Sequence, residues 1–229
     1  MLEQSSESES NMVDEDFEKE AEQLIDRMEE HMHSPPDFLP IVEKLWNASE
    51  LSKGHRIEIM RYGATRKLCS MLPIISDRQC LIVACKLLEN LCLDDDSQIL
   101  FCQLSGMDKI LKLMRNYAED YEVLVPMLSI LTNALLLEKN RQNFAKSDGL
   151  DFVLESMERF KSIAIMQEKC CAVISNSARE MEVRKKLGNE KVISLVHEAM
   201  KGFPEDRGVL QHTCHAFMNI AFEDDKRRD

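Results

Sequence analysis

Between residues 14 and 32 apolar side chains recur at Phe17, Ala21, Leu24, Ile25, Met28 and Met32, a spacing that gathers them on one face of an α-helix. Asp14, Glu15 and Asp16 stand at its start, where acids suit the positive end of a helix dipole. Pro35 and Pro36 end it. Residues 37–49 predict a second helix, and four longer units then follow at 51–93, 94–136, 137–179 and 180–222. Each unit reads as a short helix, a second helix, a loop and a longer third helix. In the 94–136 unit these are Asp95 to Gln103, a helix with Met107, Ile110, Leu111 and Met114 on its apolar face, and Tyr121 to Leu137. Pro40 and Pro126, early in their long helices, predict a loosened first turn.

Fixed columns tie the units together. Asn47, Asn90, Asn133, Asn176 and Asn219 are each 43 residues from the next, and they are half of the chain's ten asparagines. Met28, Met71, Met114, Met157 and Met200 form a second column at the same interval, and Gly63, Gly106 and Gly149 a shorter third. Independent columns in one period identify an internal repeat of 43 residues. The partial first repeat then spans 14–50, and Met28 places its first helix as a second helix. At the glycine column a residue without Cβ tolerates positive φ and close approach. The fourth unit has Val192 there, with Gly188 four residues earlier, so its turn must differ.

Composition narrows the class. Seven Gly and six Pro in 229 residues argue against a loop-rich β fold. No apolar run reaches the length of a membrane span, and the polar, acidic start is not a secretory signal. Eight cysteines without a C-x-x-C pair suggest thiols in a reducing compartment, cytoplasmic or also nuclear. The net charge of −12 is concentrated at one end. Residues 1–34 hold twelve acids and two bases, whereas the rest holds 29 acids and 27 bases. A nearly neutral body does not attract phosphate backbones, so nucleic acid is not an expected partner. Residues 1–13 read as a disordered acidic tail with Ser6, Ser8 and Ser10 as candidate phosphorylation sites, and 223–229 as a charged tail. The acidic tail is also a candidate competitor for a groove containing Lys86 and Lys44.

Three-helix units of this length, with a glycine turn between the first two helices, resemble armadillo repeats across about residues 14–222. The segments AMKGFPEDRGVLQHTCHAFMNIA (199–221) and SMERFKSIAIMQEKCCAVISNSA (156–178) are similar to the longer-loop variety found in small armadillo-repeat-containing proteins and in the N-terminal arrays of leucine-rich-repeat kinases. The resemblance implies an all-α, right-handed superhelical solenoid with the third helices on its concave face. It also implies that the asparagine column grips the backbone of an extended peptide. Side-chain amides offer both a donor and an acceptor, which suits such a ladder. The other reading is that each Asn bonds to the neighbouring repeat and packs the array.

Residues one turn before each Asn (Glu43, Lys86, Ser129, Ala172 and His215) form a mostly polar column beside it, with the polar ones as selectivity determinants. Nuclear-import adaptors resemble this array but carry Trp in that column. Here the one tryptophan, Trp46, adjoins Asn47, so binding of nuclear signals is not expected. FCQLSGM (101–107) is similar to the core of armadillo-type exchange factors of heat-shock chaperones, at a junction where all armadillo repeats look alike.

The remaining candidate chemistry falls to the register. Cys85, Cys171 and Cys214 share a column with Val42 and Leu128, a core site of small hydrophobes. His212, Cys214 and His215 lack a further ligand at zinc spacing, so no metal is expected. The methionine column is core filler, and phosphate-loop, nucleophile-elbow and zinc-protease motifs are absent. The sequence therefore predicts a non-enzymatic, cofactor-free scaffold or adaptor that binds an extended protein segment. The partner-binding residues are Asn47, Asn90, Asn133, Asn176, Asn219, Glu43, Lys86, Ser129 and His215. The alternatives are a chaperone nucleotide-exchange factor and a structural assembly subunit. The last helix, 206–222, is expected to leave Val209, Leu210 and Phe217 partly exposed, open to end-to-end association.

Overall fold

The computed structural model describes residues 15–222, and both predicted tails lie outside the described residues. The described residues form fourteen α-helices in two compact units that divide after Tyr117. The first unit contains α1 (Glu15–Glu30), α2 (Pro35–Leu51), α3 (Lys53–Arg61), α4 (Ala64–Met71), α5 (Arg78–Leu91), α6 (Asp95–Gln103) and α7 (Gly106–Asn116). The second contains α8 (Tyr121–Ala134), α9 (Glu138–Lys146), α10 (Gly149–Arg159), α11 (Ala164–Ser177), α12 (Met181–Leu187), α13 (Glu190–Gly202) and α14 (Arg207–Ala221). The long helices α2, α5, α8, α11 and α14 begin at residues 35, 78, 121, 164 and 207, each 43 after the last. No described helix is long and apolar enough to cross a membrane.

In the first unit α2 packs along α5, with α1 and α3 against α2 and α4 against α5. In the second, α11 packs along both α8 and α14, with α10 behind α11 and α13 behind α14. The long helices are buried on most sides. On α5, Leu81, Ala84, Cys85, Leu87, Leu88 and Leu91 are all inaccessible to solvent. Met28, Met71, Met114 and Met157 are buried in the second helices, and Met200 is half-buried. Flexible, unbranched side chains suit the irregular gaps between layers.

Local chemistry sets the helix limits. Asp77, Asp120 and Asp206 cap α5, α8 and α14 by accepting from the backbone N–H three residues on, at 2.8, 3.4 and 3.0 Å. Ile163 stands in their register before α11 and supplies no side-chain cap. Pro35 and Pro36 open α2, where their missing N–H groups are not needed. Both α2 and α8 run through Pro40 and Pro126 as continuous helices. The α8 helix stops at Ala134 rather than Leu137 because the next helix takes its terminal carbonyls. Asn140 Nδ2 donates to Ala134 O at 2.9 Å, and Arg141 Nη1 donates to Leu135 O and Leu136 O at 2.9 and 2.7 Å. These are carbonyls that an α-helix leaves without partners of its own.

The turns into the second helices differ from the expectation. Gly63 has φ +91° and needs its freedom. At the next repeat the left-handed residue is Ser105, φ 54°, and Gly106 is already helical. Gly106 is required for space instead, since a Cβ there would run into the buried ring of Phe101. Gly149 likewise begins a helix without positive φ. The FCQLSGM segment thus spells a turn: Phe101 fills, Ser105 bends and Gly106 gives way. The fourth turn differs, as Val192 implied, because Asn189 caps α13 by accepting from Val192 N at 3.1 Å.

The first helix is held by charge as well as by its apolar face. Lys67 on α4 donates to Asp26 Oδ1 on α1 at 3.0 Å and pairs with Glu29 at 3.0 Å. Lys44 pairs with Glu20 of the same helix. At the other end Val209 is buried, correcting the expectation, whereas Leu210 and Phe217 are half-buried. Val209 sits in the first turn of α14, the side that faces inward.

The turn geometry yields a paired test by urea denaturation. Gly106→Ala lowers stability by about 1–3 kcal/mol, because the Phe101 ring has no room to retreat. Ser105→Gly leaves stability within about 1 kcal/mol, relief of left-handed strain offsetting added chain entropy.

Candidate functional site

The asparagine column lies towards the C-terminal ends of the long helices, with Asn47 on α2, Asn90 on α5, Asn133 on α8, Asn176 on α11 and Asn219 on α14. In the first unit Asn90 Nδ2 donates to Ser49 Oγ at 2.9 Å, and that buried hydroxyl donates to Trp46 O at 2.6 Å. In the second unit Asn176 Nδ2 donates to Thr132 O at 2.8 Å. Asn219 Nδ2 donates to Ser175 O at 2.9 Å, with Ser175 Oγ at 3.2 Å. Thr132 and Ser175 are the residues immediately before the preceding asparagine. The carboxamide of one long helix is therefore pinned to the helix before it. Polar groups at the edge of a buried face need such partners.

The other half of each amide faces outward. Asn90, Asn176 and Asn219 are half-exposed, and their Oδ1 atoms accept no hydrogen bond among the described residues. Asn133 is half-exposed, and Asn47 is exposed on α2, the first long helix. The two readings left open by the sequence are thus compatible: Nδ2 serves packing, and Oδ1 stays available.

The column one turn earlier is less uniform than its composition suggests. Glu43 and Lys86 are half-exposed and His215 is exposed. Ser129 and Ala172 are buried, being small enough to be covered by their neighbours. In the first unit Glu43, Asn47, Lys86 and Asn90 are brought together on α2 and α5. There the Lys86 ammonium lies 4.4 Å from the centroid of the Trp46 ring. In the second unit Asn133, Asn176, Asn219 and His215 lie on α8, α11 and α14.

A further column stands outside the expected site residues. Leu93, Leu136 and Phe222 each follow their asparagine by three residues and are 50%, 45% and 64% exposed. Arg184 donates from Nη1 to Phe222 O at 3.0 Å and lies over its ring. The signal in the sequence is an apolar residue three positions after three of the five asparagines, the other two positions holding Glu50 and Arg179. The acceptors Ser49, Thr132 and Ser175 carry no such signal, since their role depends on how two helices pack.

The cysteines divide by burial. All eight are thiols. Burial raises the Cys69 thiol to about 11 and the Cys80 and Cys171 thiols to about 12, and it pushes Cys85, Cys92 and Cys170 up as well. Cys214 is exposed, which corrects its assignment to the core. The equivalent Cys171 is covered because α11 has a long helix on either side, whereas among the described residues α14 has only α11. The His212 and His215 rings meet edge-on at 6.3 Å, and burial lowers the His212 pKa. No group of three or more His, Cys, Asp or Glu among the described residues is placed to hold a metal. A cavity of about 1080 Å³ between α10 and α13, floored by Met157, Leu195 and Phe203, contains none of the expected site residues.

No family model matches the chain, and no curated protein does. Solved structures do match. An engineered protein from a structural genomics consortium superposes with a TM-score of 0.75 at 17% identity, over 87% of this chain and 80% of its own. A designed armadillo repeat protein gives 0.72 at 16% identity, covering 87% and 83%. Another designed armadillo repeat protein, in complex with the peptide (KR)4, gives 0.72 at 15% identity, covering 87% and 82%.

Two measurements follow from the geometry. Asn176→Ala, which removes the bond to Thr132, lowers stability by about 0.5–1.5 kcal/mol, whereas Asn47→Ala, at an exposed position, leaves the denaturation midpoint in place. A thiol titration of the native chain at pH 8 has a fast phase that Cys214→Ser removes, leaving only the half-exposed Cys102 to react, and the raised thiols of Cys69, Cys80 and Cys171 react only on unfolding. With these helices, this packing and these neighbours, the chain has the all-α solenoid fold of armadillo-repeat proteins.

Proposed function

We propose that the chain is a non-enzymatic protein-interaction scaffold that holds an extended segment of a partner along its long-helix face. The observation that carries this reading is the divided use of the asparagine amides. Each pinned carboxamide presents an acceptor in a fixed place, so binding a peptide N–H costs little further ordering. Helices packed side by side are about 8–10 Å apart. An extended chain covers that distance in two to three residues at about 3.3 Å each. Successive asparagines within a unit can therefore meet backbone groups of one extended segment, whatever its side chains.

Selectivity then comes from the neighbours of the column: Glu43, Lys86 and His215, with the exposed Leu93, Leu136 and Phe222 as apolar contacts. Ser129, being buried, shapes the floor beneath the segment. The designed armadillo neighbour with a bound peptide supports the reading at the level of fold.

The test is selection of binders from a random extended-peptide library, followed by affinity measurement on an Asn90→Ala/Asn133→Ala/Asn176→Ala variant that is folded at the assay temperature. The expected result is at least about a tenfold loss of affinity, or about 1–2 kcal/mol spread over three backbone contacts. Peptides that bind both proteins equally would move the binding surface elsewhere.

A further inference from the structure

We infer that the indole face of Trp46 is a cation-recognition position occupied from within the chain by Lys86, so that a basic side chain of a partner segment enters only by displacing it. This inference rests on the long-helix face being a peptide-binding face, and it concerns what that face admits.

Trp46 is half-buried on α2 and is the chain's one tryptophan. Its neighbours on that helix are acidic. Glu43 lies one turn before it and Glu50 one turn after, three and four residues away on the same side. An electron-rich ring face on a helix side that also carries two carboxylates attracts cations. The cation that answers is Lys86, from the adjacent long helix, with Nζ 4.4 Å from the ring centroid. Lys86 makes no ion pair with a carboxylate of the described residues. Its ammonium is thus placed by the ring, while Lys44 and Lys67 elsewhere in the unit are placed by acids.

The location connects this contact to the asparagines. Asn47 follows Trp46 directly, and Asn90 lies one turn beyond Lys86 on the same side of α5. A segment held by Asn90 passes the indole. A lysine or arginine on that segment competes with a tethered ammonium whose effective concentration is roughly of millimolar order. It also meets like-charge repulsion. Segments without a basic residue at that point leave Lys86 in place and meet neither obstacle. Lys86 is therefore a specificity determinant that closes the slot to basic segments, and Glu43 and Glu50 are what the slot offers once it is open.

The probe is the labelled peptide (KR)4, titrated by anisotropy at low salt against the full chain, Lys86→Ala and Lys86→Ala/Trp46→Leu, with thermal melts recorded for each. Lys86→Ala is expected to bind about three- to tenfold more tightly than the parent, since the peptide then has the ring to itself and one like charge is gone. The double variant is expected to lose that advantage. Trp46 emission gives a second readout that does not need the double variant to fold. Lys86→Ala should make Trp46 more accessible to acrylamide, and (KR)4 should restore its protection.

A variant that binds no more tightly, or an advantage that survives loss of Trp46, overturns the inference. Adding Asn90→Ala to Lys86→Ala separates the two claims. If the tighter binding persists without Asn90, the cation slot stands and the asparagine-held segment falls. If library peptides still depend on the asparagines while Lys86→Ala binds no better, the slot falls and the peptide face stands.

Discussion

A long helix in this fold is buried on several sides and keeps one edge at the surface, and the asparagine amide stands where the two meet. An unpaired amide at the edge of a buried face is costly, so it needs a partner. The neighbouring long helix supplies one, the hydroxyl of Ser49 or the carbonyls of Thr132 and Ser175. Because the helix before is fixed in turn, the amide cannot rotate freely. The oxygen that remains is held in place by the same bond that secures the packing. In the proposed peptide-binding reading, structural and binding roles then belong to different atoms of one side chain rather than competing for it.

The rest of the architecture follows from keeping those helices in register. The second helices fill the layer behind with methionines, whose flexible side chains adapt to uneven gaps. The first helices close the ends of the long ones, as Asn140 and Arg141 do for α8. Turns between them are solved differently each time: Gly63 by positive φ, Ser105 and Gly106 by dividing curvature from close packing, Asn189 by a cap. What recurs is the path of the chain, and the residue that permits it varies.

Much of this was legible in the sequence. The order of the helices and the core placement of Met28, Met71, Met114 and Met157 follow from periodicity, because burial acts on each repeat alike, whereas helix ends such as that of α8 do not. The caps at Asp77, Asp120 and Asp206 stand in one register before the long helices, but Ile163 breaks the column and hides the signal. What escaped depends on neighbours. Cys214 shares a column with buried Cys171, but among the described residues no long helix packs on the far side of α14. Ser129 is polar by type and buried by context. Of the two properties expected at the glycine column, Gly106 supplies only the close approach, against Phe101, and the positive φ falls to Ser105. The contact of Lys86 with Trp46 joins residues forty apart in sequence on adjacent helices, a relation that no single-column reading contains.

Side-chain amide NMR tests the divided use of the asparagines most directly. With Nδ2H₂ resonances assigned in the free chain, one proton each of Asn90, Asn176 and Asn219 should exchange with water more slowly than those of exposed Asn47, reporting the bond to the preceding helix. On adding a library-selected peptide, those signals should shift while the slow exchange persists, since the ligand meets Oδ1 and leaves Nδ2 engaged. Exchange as fast as that of Asn47, or protection that vanishes when peptide binds, would contradict the account, because the amide would then be either unpinned or forced to choose between its two roles.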